Sequence, residues 1–428
     1  MITLIVILIG MLLLLLTGVP VFAGLGAAAM AILYVAEGQI GSIGELVYGK
    51  LEIYMLAAIP LFAFMAHIMI HARVVDDLYT AMHTLVRHWP GGLSVATILS
   101  CTVFAAISGS SAATALTIGA IAIPQMTRFG YSPRVAYGAV AAGGTLGILI
   151  PPSGPMILFG VVADASIGGL FIGGILPGLA VAALFSAYCS IQAVWGGNYE
   201  RQPRASLGEI ATALRRAMWP MLLPPLILGG MYMGVFTATE GAAAGALAAL
   251  FIAGVVYRRL TVETLYQAAL EAARLTSMLF MILIAASLFS HVMTILRLPA
   301  QLVEQVTELG LGPIGFLLVV MAVVFVLGMF LETISIILVT TPIVLPVLDA
   351  LEINLVWYGV LLMVNLEMAL ITPPVGMNLF VIRGIVDAPI REIMAGALPY
   401  VLLMTVGLVL VLLWPDLVLW LPGTMGFK

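Results

Sequence analysis

The chain of 428 residues is 63% hydrophobic and only 8% charged, with a mean hydropathy of +1.21 and a formal net charge of −4. Soluble domains carry roughly 25% charged residues, so this composition excludes a water-soluble globular protein and points to an integral membrane protein. Two cysteines, Cys101 and Cys189, both in apolar runs, and five scattered histidines give no disulfide framework and no metal-type spacing.

Apolar segments long enough to cross a core of about 30 Å recur along the whole chain, so the spans are expected to be helices rather than barrel strands. Segment 2–16 lacks a basic leader and runs straight into a second apolar stretch, which predicts a retained span and not a signal peptide. Spans over 21–36 and 55–72 follow, and Arg73 to Arg87 is polar enough to lie along the inner membrane surface. Segment 89–127 holds 39 residues without a charged side chain, centred on Ser108. Each of its arms is about 24 Å long as helix, short of a full crossing, so a hairpin dipping into the membrane is expected. Spans 135–163 and 168–194 come next, then the polar stretch 197–216 with Arg201, Arg204, Arg215 and Arg216. The positive-inside rule puts that stretch in the cytoplasm. Spans 217–236 and 240–257 lead to an amphipathic surface segment, 260–275, and a span over 276–294. A second long apolar segment, 309–348, repeats the hairpin pattern before spans 356–382 and 394–413. Counted outward from the arginine cluster, thirteen basic residues fall inside and three outside, and both chain ends are expected on the periplasmic side.

Sliding the sequence along itself reveals a repeat at an offset of 222 residues. Pro124 falls on Pro346, Pro151 and Pro152 on Pro373 and Pro374, Gly154 on Gly376, and Pro177 on Pro399. With five crossings and one hairpin per copy, an odd count, the second copy must be inverted relative to the first. The expected fold is therefore an all-α polytopic membrane protein of two inverted-topology repeats, each with five transmembrane helices and one re-entrant helical hairpin. The first repeat covers 1–196, with hairpin 89–127 and broken helix 135–163. A cytoplasmic linker covers 197–216, and the second repeat, 217–428, has hairpin 309–348 and broken helix 356–382.

Proline lacks an N–H and clashes with the preceding turn, so the Pro-Pro pairs must open their helices and free carbonyls. Freed carbonyls at membrane depth are tolerated where they line a cavity or coordinate a cation. The hydroxyls of the hairpin tip add hard oxygen ligands, and the N-terminus of the second hairpin helix offers N–H groups to an anion. This pattern fits a small cation bound beside an anionic solute. Cation ligands are expected among Ser108, Ser110, Gly143, Thr145, Gly147, Thr333, Asn365, Thr372 and Gly376, and solute contacts among Ser111, Thr114, Ser153 and Asn378. Glu367, deep in its span, is expected to be a structural ion-pair partner of Arg383 or a coupling residue, the structural role being favoured. Glu240 is expected to hold a helix end, Asp164 and Asp387 to mark loops at the membrane edge, and Glu332 to sit at the mouth of the second hairpin.

The stretches ISGSSAATALTIGAIAIPQM, LGILIPPSGPMILFG, GVFTATEGAAAG, LETISIILVTTPIVLPVL and NLEMALITPPVGMNLFVIRGI resemble the large membrane subunit, or M subunit, of the tripartite ATP-independent periplasmic (TRAP) transporters. That resemblance implies a sodium-driven importer of a small carboxylate in the bacterial inner membrane, working by an elevator motion. It also implies two partners, a small four-helix membrane subunit (Q subunit) and a soluble periplasmic binding protein (P subunit). Sodium would be the only bound metal, at the cation-binding residues, with no organic cofactor, and no nucleic-acid partner is expected. A stand-alone cation-coupled dicarboxylate carrier is the nearest competitor. An intramembrane serine hydrolase would need a base beside the Ser-Gly-Ser tip, and of the histidines only His67 and His291 lie well inside apolar runs.

Overall fold

The computed structural model describes residues 10, 17–37, 41, 43–196 and 202–426. The expected first span, 2–16, therefore lies outside the described residues except for Gly10. All regular structure among the described residues is helical. Seven of these helices are long and apolar enough to cross a membrane, the mark of a multi-pass membrane protein.

Both Pro-Pro pairs interrupt a helix. Pro133–Leu149 stops, residues 150–153 run extended, and Gly154–Ala163 resumes. Leu355–Leu370 stops likewise and Met377–Ile385 resumes. The Pro151–Pro152 and Pro373–Pro374 peptide bonds are both cis. Each broken helix is preceded by two helices joined tip to tip and packed together, Gly92–Ser108 with Ser111–Arg128 and Pro313–Gly328 with Thr333–Ala350. The first tip turns at Gly109, whose φ of +59° suits a residue without a Cβ, and Ser110 then adopts extended backbone to cap the next helix. Element boundaries recur with the sequence: Ser111–Arg128 shifted by 222 positions lands on Thr333–Ala350, and Gly154–Ala163 lands within one residue of Met377–Ile385.

The halves exchange partners at the breaks. Met377–Ile385 packs against Ser111–Arg128, while Gly154–Ala163 packs against Thr333–Ala350. Residues of Pro133–Ala163 are 83% buried over their most apolar window, against 39% for Ile390–Leu413, so the first broken helix is at the centre and the last long helix leaves an apolar face outward. Beside this block, Val21–Glu37, Ala58–His71, Ala238–Phe251 and Val262–Ile295 pack on one another.

Three features differ from the sequence expectation. The surface segment 260–275 and the span 276–294 form one continuous helix, Val262–Ile295, 34 residues and about 51 Å long. Thr261 caps it, and no glycine or proline stands between Val262 and Ile295 to break it. The polar stretch 197–216 is helical from Leu207, because Ser206 and Glu209 form a reciprocal capping box. Arg87 fastens that stretch, donating to Glu209 Oε2 at 3.0 Å and to the Pro203 carbonyl at 2.9 Å. The third difference is Thr333–Ala350, the second arm of the expected hairpin 309–348, which is long and apolar enough to cross a membrane by itself.

Candidate functional site

A cavity of about 130 Å³ lies where the two hairpin tips meet the two broken helices. The N-termini of four helices line it, at Ser111, Gly154, Thr333 and Met377. The C-terminal ends of three others also reach it, at Ser108, Ile148 and Leu370. Helix N-termini carry unpaired N–H groups and partial positive charge, and C-termini carry carbonyls and partial negative charge. One small space thus offers binding surfaces of both signs. Among the described residues, no lysine, arginine or histidine lines it, and its one acidic lining residue is Glu332.

Of the residues expected from the sequence, Ser108, Ser110, Ser111, Thr333 and Asn378 line this cavity. Ser108 Oγ lies 2.8 Å from Thr114 Oγ1, a hydroxyl pair that ties the end of one arm to the first turn of the other. Ser110 Oγ accepts from the Ala113 N–H at 3.4 Å. Ser153 does the same for the helix after the first break, accepting from the Met156 N–H at 3.3 Å. Asn378 is buried, and neither its side-chain oxygen nor its nitrogen has a partner among the described residues. A buried amide left this way costs free energy until something binds it.

The others are elsewhere. Thr145 Oγ1 donates to the Ala142 carbonyl at 2.6 Å, and Thr372 Oγ1 to the Met368 carbonyl at 2.7 Å, so both hydroxyls are spent on their own helices. Asn365 donates to the Met321 carbonyl at 2.9 Å and pins the second broken helix to the first arm of the second hairpin. Gly143 and Gly147 have a packing reason: a Cβ would come within 2.5 Å of Cys101 Sγ at Gly143 and within 2.5 Å of the Ser110 carbonyl oxygen at Gly147. Gly376 has a φ of +57° and donates its N–H to the Met329 carbonyl at 3.3 Å, which joins the second break to the second tip.

Glu367 has a different partner from the one expected. Arg383 makes no ion pair with it among the described residues; Oε1 instead accepts from Ser111 Oγ, across the two halves of the chain. No motif signals a contact between residues 256 apart; the 222-residue offset aligns Glu367 only with Thr145. Glu240 completes a capping box with Thr237 at the start of Ala238–Phe251. His67 pairs with Glu271 at 2.8 Å, and His291 lies beside Glu45 and Lys50, so neither reaches the serine tip.

The family model described as "Tripartite ATP-independent periplasmic transporter, DctM component" matches residues 8–417. The chain belongs to the DctM family of TRAP transporters. It is 39% identical over 402 residues to the C4-dicarboxylate TRAP transporter large permease protein DctM of Pseudomonas aeruginosa, covering 94% of each chain. It is 35% identical to the protein of the same name from Rhodobacter capsulatus, covering 96% of this chain and 97% of that one. Other DctM relatives carry names for ectoine and for sialic acid, so family membership alone does not fix the solute. Among solved structures, the YdaH transporter of Alcanivorax borkumensis superposes with a TM-score of 0.63 at 14% identity, covering 88% of both chains, which is a likeness of fold. The relatives of this DctM chain are named as transporter permease subunits, which makes it a transporter component rather than an enzyme.

Proposed function

We propose that this DctM-family chain is the permease that moves a small carboxylate solute into the cell by symport with sodium. The observation that carries the proposal is the cavity between the hairpin tips, where, among the described residues, four helix N-termini, three helix C-termini and several hydroxyls converge without one basic side chain. Helix N-termini there supply N–H groups to a carboxylate. Hydroxyl and carbonyl oxygens supply ligands to sodium, and the bound cation offsets the charge of the cargo beside it. Ser108, Ser110 and Thr333 are the side chains proposed for the cation, and Asn378 with the N–H groups at Gly154 and Met377 for the solute. Thr114 and Ser153 act behind them by holding the tip and the break in shape.

The recurrence of elements at 222 residues supports two repeats, and the odd number of crossings expected in each, with the arginine distribution, supports an inverted arrangement in the bacterial inner membrane with both ends of the chain periplasmic. In that arrangement the hairpin and broken-helix block moves as an elevator against the frame of long helices. Family membership supports a small membrane subunit beside the frame and a periplasmic binding protein that delivers the solute.

Uptake of a labelled C4-dicarboxylate into proteoliposomes tests this, with the small subunit and a candidate binding protein present. The expected result is accumulation that requires an inward sodium gradient and the binding protein. Uptake driven by a proton gradient alone would contradict sodium coupling, and uptake without the binding protein would favour a stand-alone carrier.

A further inference from the structure

Glu367 sits in the last turns of Leu355–Leu370 and is fully buried. Its Oε1 accepts from Ser111 Oγ, while its Oε2 has no protein partner and no basic side chain pairs with it among the described residues. Ser111 lines the cavity and Glu367 does not. A serine hydroxyl has one proton and two lone pairs. With Glu367 ionised, a form that a cation bound in the cavity favours, the serine proton is directed at the carboxylate and the oxygen offers only lone pairs to the cavity. Lone pairs suit a cation and repel a carboxylate, so the geometry moves Ser111 from the solute contacts expected of it to the cation side. The second half has no equivalent. Ser111 and Glu367 correspond at the repeat offset to Thr333 and Thr145, and the Thr145 hydroxyl is bonded to the Ala142 carbonyl of its own helix.

We propose that Glu367 is a positioning residue for the transport site, holding the Ser111 hydroxyl with its lone pairs toward the cavity, where they serve the coupling cation and not the carboxylate cargo. This rests on the reading of the cavity as the place of sodium-coupled uptake. The test uses the intact transporter in proteoliposomes and measures two quantities, the sodium concentration for half-maximal uptake and the solute KM at saturating sodium. Glu367→Gln keeps a carbonyl acceptor of the same shape and is expected to stay within about twofold of the wild type in both. Glu367→Ala and Ser111→Ala are each expected to raise the half-maximal sodium concentration about tenfold while leaving solute KM within about twofold. The double variant is expected to be no worse than either single one, because the two side chains act as a unit. If Glu367→Ala fails to fold, Glu367→Leu fills most of the volume without an acceptor and carries the same expectation. Unchanged sodium dependence in the Ala or Leu variant, a shift that falls on solute KM instead, or multiplying effects in the double variant would each overturn the proposal. Wild-type uptake indifferent to sodium would remove the underlying reading, and this inference with it.

Discussion

The two hairpin tips occupy equivalent places in the chain and are built in opposite ways. At the first tip Ser108 pairs with Thr114, Ser110 caps the following helix, Ser111 bonds Glu367, and Gly109 lies so close to the break that a Cβ there would sit 2.6 Å from the Pro152 carbonyl oxygen. At the second tip Glu332 holds the capping position without a side-chain capping bond. In the helix that follows, the buried hydroxyls of Ser335 and Thr341 have no partner among the described residues, and neither does Asn378 across the cavity. Folded proteins pair nearly all buried polar atoms, so those left open mark places completed by something else. The contrast is one of tips, not of whole hairpins, since Ser94 and Ser100 in the first arm of the first hairpin are also buried without a partner among the described residues; the open polar atoms that line the cavity are those of Asn378.

Steric insertion at the first tip is the strongest way to break this contrast. Gly147→Ala puts a Cβ 2.5 Å from the Ser110 carbonyl oxygen, backbone that cannot swing aside. The expected cost is about 1–3 kcal/mol, with loss of uptake, read by thermal unfolding in detergent and by transport. Gly154→Ala, which meets nothing within 4 Å, is the neutral control for stability. A finer test removes one hydroxyl from each hairpin. Ser108→Ala loses the bond to Thr114 and is expected to destabilise by about 1 kcal/mol, whereas Ser335→Ala has no bond to lose and is expected to leave the unfolding temperature unchanged or raised. Equal losses at both would erase the distinction between the tips.

The smallest effect is expected far from both tips, where Arg87 meets Glu209. The backbone N–H of Ser206, then Arg87, hold the Glu209 carboxyl below its ordinary value. A carboxyl lowered on folding stabilises the protein above its unfolded value, and that contribution fades as acidification protonates it. Glu209→Gln is therefore expected to lower the unfolding temperature slightly at pH 6 and to match the wild type near pH 3, as far as both remain folded there. A larger gap at low pH would reverse the sign.

Local chemistry explains what was readable in the sequence. The Pro-Pro pairs announce both breaks because proline cannot continue a helix through its missing N–H. The serine cluster announces the first tip because Ser110 and Ser111 begin a helix after a glycine. Family membership was legible in the same stretches, from the serine tip to the second Pro-Pro pair. Continuity of Val262–Ile295 was not legible from polarity, since a change from an amphipathic to an apolar face does not end a helix; only a breaker would have, and none is present. The expected linker over 197–216 passes over the Ser206 and Glu209 spacing, a capping box that marks where helix begins inside the polar stretch. Gly143 and Gly147 illustrate the reverse problem: beside a break they resemble ligands, and only the approach of Cys101 and Ser110 reveals a packing role. The bond from Ser111 to Glu367 joins residues brought together solely by the crossing of the two halves, which no local pattern encodes.

The central claim is that cargo and cation meet in the cavity between the tips, and one paired measurement tests it most directly. Asn378 and Ser94 are both buried with unpartnered side-chain atoms, but only Asn378 lines that cavity, while Ser94 faces a separate pocket beside Tyr131 and Cys189. Sodium-dependent uptake in proteoliposomes is expected to be lost in Asn378→Ala and kept in Ser94→Ala at equal amounts of folded protein. Normal uptake by Asn378→Ala, or an equal loss in both variants, would contradict it.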